Sequence, residues 1–197
     1  MKSPSVQALI DHFRLQPLPA EGTLYTPTYR AADGSSSAML GLYCQPPAGP
    51  LSQSLFHRLP VDELWHHHGG DALRLVLLHP GGRWEEIILG PDWAAGQRPQ
   101  AVVPAGCWQA GHWLASVDSE GAAAVKGWAL FGCTVAPAFH SQMYEGGLRG
   151  TLLAGWPQCA DDIEQLGCAD AHETRMPALA GDEMALWPGP KPGPETG

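Results

Sequence analysis

His57-Arg58-Leu59-Pro60-Val61-Asp62-Glu63-Leu64-Trp65-His66-His67-His68-Gly69-Gly70-Asp71 is the densest polar run in the chain. The Pro60-Val61-Asp62 turn divides it into two strand-like halves. Folded back as a hairpin, the halves let His57 and Glu63 face each other into one interior. Three consecutive histidines invite a metal, but side chains alternate across a strand. His66 and His68 share one face, and His67 shares the other with Glu63 and Trp65. The triplet therefore cannot clamp one ion as a unit. A histidine beside a carboxylate in an apolar, Trp-lined interior suits a metal pair or general acid–base chemistry. The plain structural alternative is a buried ion pair that only holds the hairpin.

The same punctuation recurs on both sides of this run. Short apolar stretches stand at 38–44, 54–59, 63–68, 73–79, 84–89, 101–103, 107–115 and 126–135. Between them lie turn signals such as Pro46-Pro47-Ala48-Gly49-Pro50, Pro80-Gly81-Gly82, Gly90-Pro91-Asp92 and Pro104-Ala105-Gly106. Leu73, Leu75 and Leu77 alternate with Arg74, Val76 and Leu78, which predicts a strand buried on one face and partly covered on the other. Glycine (24) and proline (19) supply about a fifth of the 197 residues, well above the roughly 12% of average usage. Many short strands with tight turns and no intervening helix predict an antiparallel sandwich or barrel.

Helices are expected only at the ends. Ser5 is placed to cap a helix through Phe13, with Leu9, Ile10 and Phe13 at helical spacing and Pro17 and Pro19 as the stop. Leu148 to Leu153 and Ala160 to Leu166 predict two more, separated by Trp156-Pro157. One domain is expected over 5–167. The stretch 168–197, rich in proline and glycine toward its end, reads as an extended or disordered tail. Five cysteines without a C-x-x-C pair predict neither a disulfide framework nor a zinc site. They point to a reduced, cytoplasmic setting. Met1-Lys2-Ser3-Pro4-Ser5-Val6 lacks the apolar stretch of a signal peptide. Eleven basic and 20 acidic residues give a net charge of −9, which argues against a nucleic-acid or anionic-membrane partner.

Two motifs carry a family resemblance. His57-x-Leu59-x3-Glu63-x6-Gly70 resembles the first motif of the cupin superfamily, H-x-H-x3-E-x6-G, with Leu59 where the second histidine belongs. Pro104-x-Gly106-x2-Gln109 resembles the second, P-x-G-x2-H, with Gln109 for the histidine. Further runs match more closely: Leu89-Gly90-Pro91-Asp92, Gly96-Gln97-Arg98-Pro99-Gln100 and Gly132-Cys133-Thr134-Val135-Ala136-Pro137. Together they resemble the uncharacterised cupin-type family once filed as a domain of unknown function. The resemblance runs from the first helix through Glu164. It implies an all-β, double-stranded β-helix (a cupin jelly-roll barrel), similar in fold to sugar-nucleotide epimerases. It also implies a homodimer.

The chain departs from that family at several positions. In its amino-terminal run Leu18 replaces a histidine, and Thr26 and Pro27 replace an Arg-Glu pair. His68 replaces a tyrosine. Two of the four usual ligand positions, Leu59 and Gln109, have lost their imidazoles, which weakens transition-metal binding. No cofactor is expected beyond a divalent metal held weakly at His57 and Glu63. The site is expected to comprise His57 as base, Glu63 orienting it and Gln109 donating to a developing oxyanion. Tyr43, Trp65, His67, Arg98 and Trp108 are the expected ligand-binding residues. Glu145 is a candidate to close the barrel mouth, or a surface residue.

These residues predict a small-molecule protein acting on a sugar-like or hydroxy-acid ligand, isomerase- or epimerase-like if catalytic. The alternatives are a non-catalytic ligand-binding cupin and a metal-dependent oxygenase. One barrel hosts many chemistries, so fold alone does not choose among them.

Overall fold

The computed structural model describes residues 4–114, 126–180 and 182. Ser5 caps α1 (Val6–Phe13), its hydroxyl accepting the Ala8 amide at 3.2 Å. The first strands are β1 (Gln16–Pro17), β2 (Leu24–Arg30), β3 (Ser37–Cys44), β4 (Ser54–Arg58) and β5 (Glu63–Gly70). They are followed by β6 (Leu73–Leu78), β7 (Trp84–Leu89), β8 (Gln100–Val103), β9 (Trp108–Trp113), β10 (Trp128–Val135) and the two-residue β11 (Glu145–Gly146). Two short helices, α2 (Arg149–Gly155) and α3 (Ala160–Leu166), come last.

The strands form two antiparallel sheets, β1-β2-β3-β10-β5-β8 and β11-β4-β9-β6-β7. Apart from the consecutive runs β1-β2-β3 and β6-β7, neighbours in each sheet are distant in sequence, as in a jelly roll. Tyr43, Trp65, Leu73, Leu75, Leu77, Leu89 and Phe131 fill the space between the sheets. Two glycines make that packing feasible. A Cβ on Gly41 would stand 2.3 Å from the Phe131 ring, so the far end of the ring packs directly on bare backbone. Gly70 ends β5 at φ +90°, where a Cβ would meet the Trp128 carbonyl at 2.2 Å.

The outer face of the second sheet is covered more fully than the alternation in β6 predicts. Val76 and Leu78 are buried there under Leu152 of α2 and Ile163 and Leu166 of α3. Each such side chain contributes about 1.5–3 kcal/mol by leaving water. Arg74, on the same face, bridges Glu86 of β7 and Asp162 of α3, so the helix is also tied by charge. On the first sheet, α1 lays Leu9 over Leu42, Cys44 and Trp128.

β1, β2 and β11 are additions to the expected strands. β2 contains Thr26-Pro27-Thr28, and its register shifts between Pro27 and Tyr29, leaving Thr28 bulged. No sharp boundary falls at 167. Cys168 is buried and bridges Leu148, and Met176 packs on Leu18, Tyr25 and Tyr144. Residues 183–197 of the expected tail lie outside the described residues, as does Ala115 of the expected strand at 107–115. No helix among the described residues is long and apolar enough to cross a membrane.

Candidate functional site

The hairpin places His57 on β4 and Glu63 and Trp65 on β5, while β9 brings Gln109 directly opposite His57. All four are buried. Asp62 in the hairpin turn accepts the Ala105 amide at 2.8 Å, and Gly106 donates its amide to the Leu59 carbonyl at 2.8 Å. The two motif turns are thereby fastened side by side.

Two hydrogen-bond networks meet in the barrel. In the first, the Trp65 indole donates to Gln109 Oε1 at 2.8 Å, and Gln109 Nε2 donates to Glu63 Oε2 at 2.6 Å. An indole N–H only donates, which fixes the amide's orientation and points its N–H at the carboxylate. The Cys133 thiol also hydrogen-bonds Glu63. Burial pushes the Glu63 carboxyl above its ordinary pKa, assisted by the Glu21 charge and opposed by His57, Gln109 and Cys133. Burial likewise holds Cys133 well above the usual thiol range, so it stays a donor.

The second network centres on Glu21. Its Oε1 accepts from Thr23 at 2.6 Å and from Ser54 at 2.7 Å, and Ser54 Oγ lies 2.5 Å from the Tyr43 hydroxyl. Ser54 gives its one proton to Glu21, so the buried Tyr43 hydroxyl, its pKa raised by desolvation, donates to Ser54. Glu21 Oε2 lies 3.9 Å from His57 Nε2. His57 Nδ1 is 2.8 Å from the Leu55 carbonyl, which can only accept, so Nδ1 carries a proton. In the neutral imidazole, Nε2 then presents its lone pair toward Glu21. Tyr144 stacks on the ring at 5.2 Å and fixes its plane.

Glu21 and Glu63 line one cavity of about 120 Å³. Its remaining wall is mostly apolar, including Leu18, Tyr25, Pro27, Met39, Val135 and Phe139, and Leu179 and Ala180 of the C-terminal segment lie across it. An apolar enclosure with a few convergent polar groups is the usual form of a small-molecule site.

The expected residues thus divide. His57, Glu63, Gln109, Tyr43 and Trp65 come together inside the barrel. Glu63 pairs with Gln109, however, and the carboxylate beside His57 is Glu21. Gln109 directs its N–H at Glu63 and not into the cavity. Trp108 faces away from the interior, because it adjoins the inward Gln109 on one strand. It lies under the Arg58 guanidinium at 4.4 Å, and Arg58 forms a two-bond pair with Glu145, both at 2.9 Å. Glu145 is thus engaged at the surface. His67 faces inward but stands at the far end of β5, bonded to the Asp71 carbonyl at 2.9 Å. Arg98 is exposed in the loop after β7. Glu21 was the residue without a motif to announce it; its one signal is the Glu21-Gly22 step inside the amino-terminal run.

The family described as "Cupin superfamily (DUF985)" matches residues 7–146. The chain belongs to the DUF985 family of cupins. Two solved structures support the assignment over nearly their whole lengths. A protein from Shewanella oneidensis is 30% identical, with 86% of this chain and 100% of that one covered and a TM-score of 0.70. A hypothetical protein from Leishmania major is 25% identical, covering 83% and 99%, also with a TM-score of 0.70. No functionally curated protein matches significantly.

Cupins commonly hold a metal at their two motifs, and the donors in this cupin do not fit one. Leu59 is a buried hydrocarbon at one ligand position. At another, the Gln109 oxygen is taken by Trp65 and its nitrogen is a donor. Among the described residues, no three His, Cys, Asp or Glu side chains converge as a metal site.

The buried Glu63 of this cupin sets a pH dependence of stability. Because its pKa is raised on folding, the native state binds this proton more tightly than the unfolded chain. Stability from this group is full below the ordinary carboxylate pKa and declines as pH rises through the native value. Glu63→Gln is expected to raise the Tm at pH 8 relative to the native protein, because the variant carries no buried charge at that pH. The gain should vanish near pH 4. Thermal melts across pH check this, and an equal change at both ends would remove Glu63 as the cause.

Proposed function

We propose that this cupin binds a small hydroxylated or carbonyl compound in the cavity and moves a proton on it without a metal. Supporting this is one observation: two buried carboxylates in different hydrogen-bond networks face a single apolar enclosure. Glu21, held by Thr23 and Ser54, is the cavity-side base, and His57 behind it accepts the proton through Nε2. Glu63, whose carboxyl burial pushes above its ordinary pKa, is assigned the acid. Removal of a proton beside a carbonyl sends the C–H electron pair toward oxygen, which takes a hydrogen bond or proton from Glu63. Return of a proton to either face or the adjacent carbon completes an epimerisation or isomerisation. Enzymes separate acid and base roles by giving two carboxyls different surroundings.

A panel of small aldoses, ketoses and oxo acids in deuterium oxide tests this, with proton NMR following exchange beside the carbonyl. At least one compound should exchange faster with the protein than without it. A compound that raises the Tm yet never exchanges would establish the second reading, a non-catalytic binding cupin, which Leu59 and Gln109 favour. Elemental mass spectrometry on protein purified without chelator should find iron, manganese, zinc and nickel below stoichiometric. A stoichiometric metal would overturn the metal-free chemistry. The proposal also takes the protein to be a cytoplasmic homodimer, supported by its five free, buried cysteines and the family resemblance.

A further inference from the structure

Arg30, at the end of β2, lines the same cavity as Glu21 and Glu63. Strict alternation from Tyr25 and Pro27 would turn Arg30 to the other face of the strand. The bulge at Thr28 shifts the register, and both Tyr29 and Arg30 border the cavity as a result. Bulges beside sites re-aim side chains in this way. Nη1 of the guanidinium donates to the Phe139 carbonyl at 2.7 Å. Its Nε is buried and has no hydrogen-bond partner among the described residues. A buried, unsatisfied guanidinium donor is costly, and an acceptor supplied by a ligand would relieve it.

The other charged groups on this wall narrow the ligand further. Asp182 does not compete for Arg30: its two oxygens accept the Ser141 amide at 3.1 Å and the Leu179 amide at 2.7 Å, with His140 3.9 Å away. Glu21 and Glu63 instead offer an acceptor and a donor for a hydroxyl or carbonyl oxygen. Size is the last constraint. A dry cavity of about 150 Å³ encloses one benzene, a ligand of six non-hydrogen atoms, so about 120 Å³ is filled by a ligand no larger than that. A hexose does not fit wholly inside it.

We infer that the cavity takes a small 2-hydroxy- or 2-oxo-carboxylate, its carboxylate on Arg30 and its second oxygen at Glu63 and Glu21. This rests on the proposed function for the Glu21–Glu63 end, whereas the Arg30 end stands on its own geometry. Lactate, pyruvate and the neutral lactamide are the probes, with binding followed by calorimetry.

The native protein should bind lactate or pyruvate about tenfold to hundredfold more tightly than lactamide, the range for hydrogen bonds to a charged group. Arg30→Gln should abolish that preference by weakening the acids alone, and Arg30→Lys should restore part of it. Glu63→Leu, which removes the donor that glutamine would keep, should weaken all three probes. Equal binding of lactate and lactamide to the native protein overturns the inference, as does binding of neither acid. If Glu63→Leu still weakens binding of lactamide in that case, the proposed function survives. If no probe responds to Glu63→Leu, that function falls separately. The comparison of acid with amide needs no variant and so does not depend on Arg30 variants folding.

Discussion

His57→Ala is expected to lower protein-dependent deuterium exchange about 10²- to 10⁴-fold, the usual contribution of a positioned acid–base group. The physical ground is the proton inventory around the ring. Leu55 fixes the proton on Nδ1, so Nε2 is the one ring atom free to take a proton from Glu21, 3.9 Å away. Alanine removes that acceptor and also the packing on Tyr144, which complicates its reading. His57→Asn separates the two effects, since its amide can still donate to Leu55 but has no basic nitrogen. Both variants should lose exchange, and the asparagine form should melt closer to the native protein. Exchange rates and Tm are measured together on all three proteins. Native-level exchange in a folded His57→Asn protein would end the role of the imidazole.

Trp65→Ala is expected to destabilise the fold by about 3–5 kcal/mol, as large-to-small core substitutions of this kind do. Trp65 is 1% exposed and stacks on Phe131 at 4.7 Å, with Tyr43 beside it. Its loss opens a void between the sheets and leaves Gln109 Oε1 without its donor. Trp65→Phe keeps most of the volume and removes the indole N–H. It should cost about 1–3 kcal/mol, the penalty for an orphaned buried acceptor. Freed of Trp65, the Gln109 amide can turn, and the pH dependence contributed by Glu63 should change with it. Urea unfolding at several pH values checks both effects. A phenylalanine variant as stable as the native protein, with the same pH profile, would mean that the indole does not hold Gln109 in place.

Much of this architecture is legible in the sequence because it follows local rules. Turn residues bracket each central strand, and period-two alternation in Leu73 to Leu78 marks the interior face. Parity along a strand is equally legible: Trp108 and Gln109 are neighbours, so an inward Gln109 puts Trp108 outside. What the sequence conceals depends on long-range packing. β2 carries Pro27 and a bulge, so no clean alternation announces it, and the bulge is what turns Arg30 toward the cavity. Glu21 sits in an aperiodic loop whose partners, Ser54 and His57, are more than thirty residues away. The pairing of His57 with Glu21 and of Glu63 with Gln109 is a matter of side-chain geometry that motif spacing does not encode. Likewise, nothing local in Cys168 to Asp182 tells that Met176 and Leu179 pack on the barrel.

The position of β10 between β3 and β5 has a consequence for how the protein is made. β3 ends at Cys44, but its partner β10 is complete only at Val135, about 90 residues later. At ribosomal rates of roughly 5–20 residues per second, that gap takes about 5–18 s. During it, the nascent chain carries two strand edges with no mate, the kind of surface that templates pairing with other chains. Protection from aggregation is therefore needed during synthesis, and the need ends only when Val135 has left the ribosome.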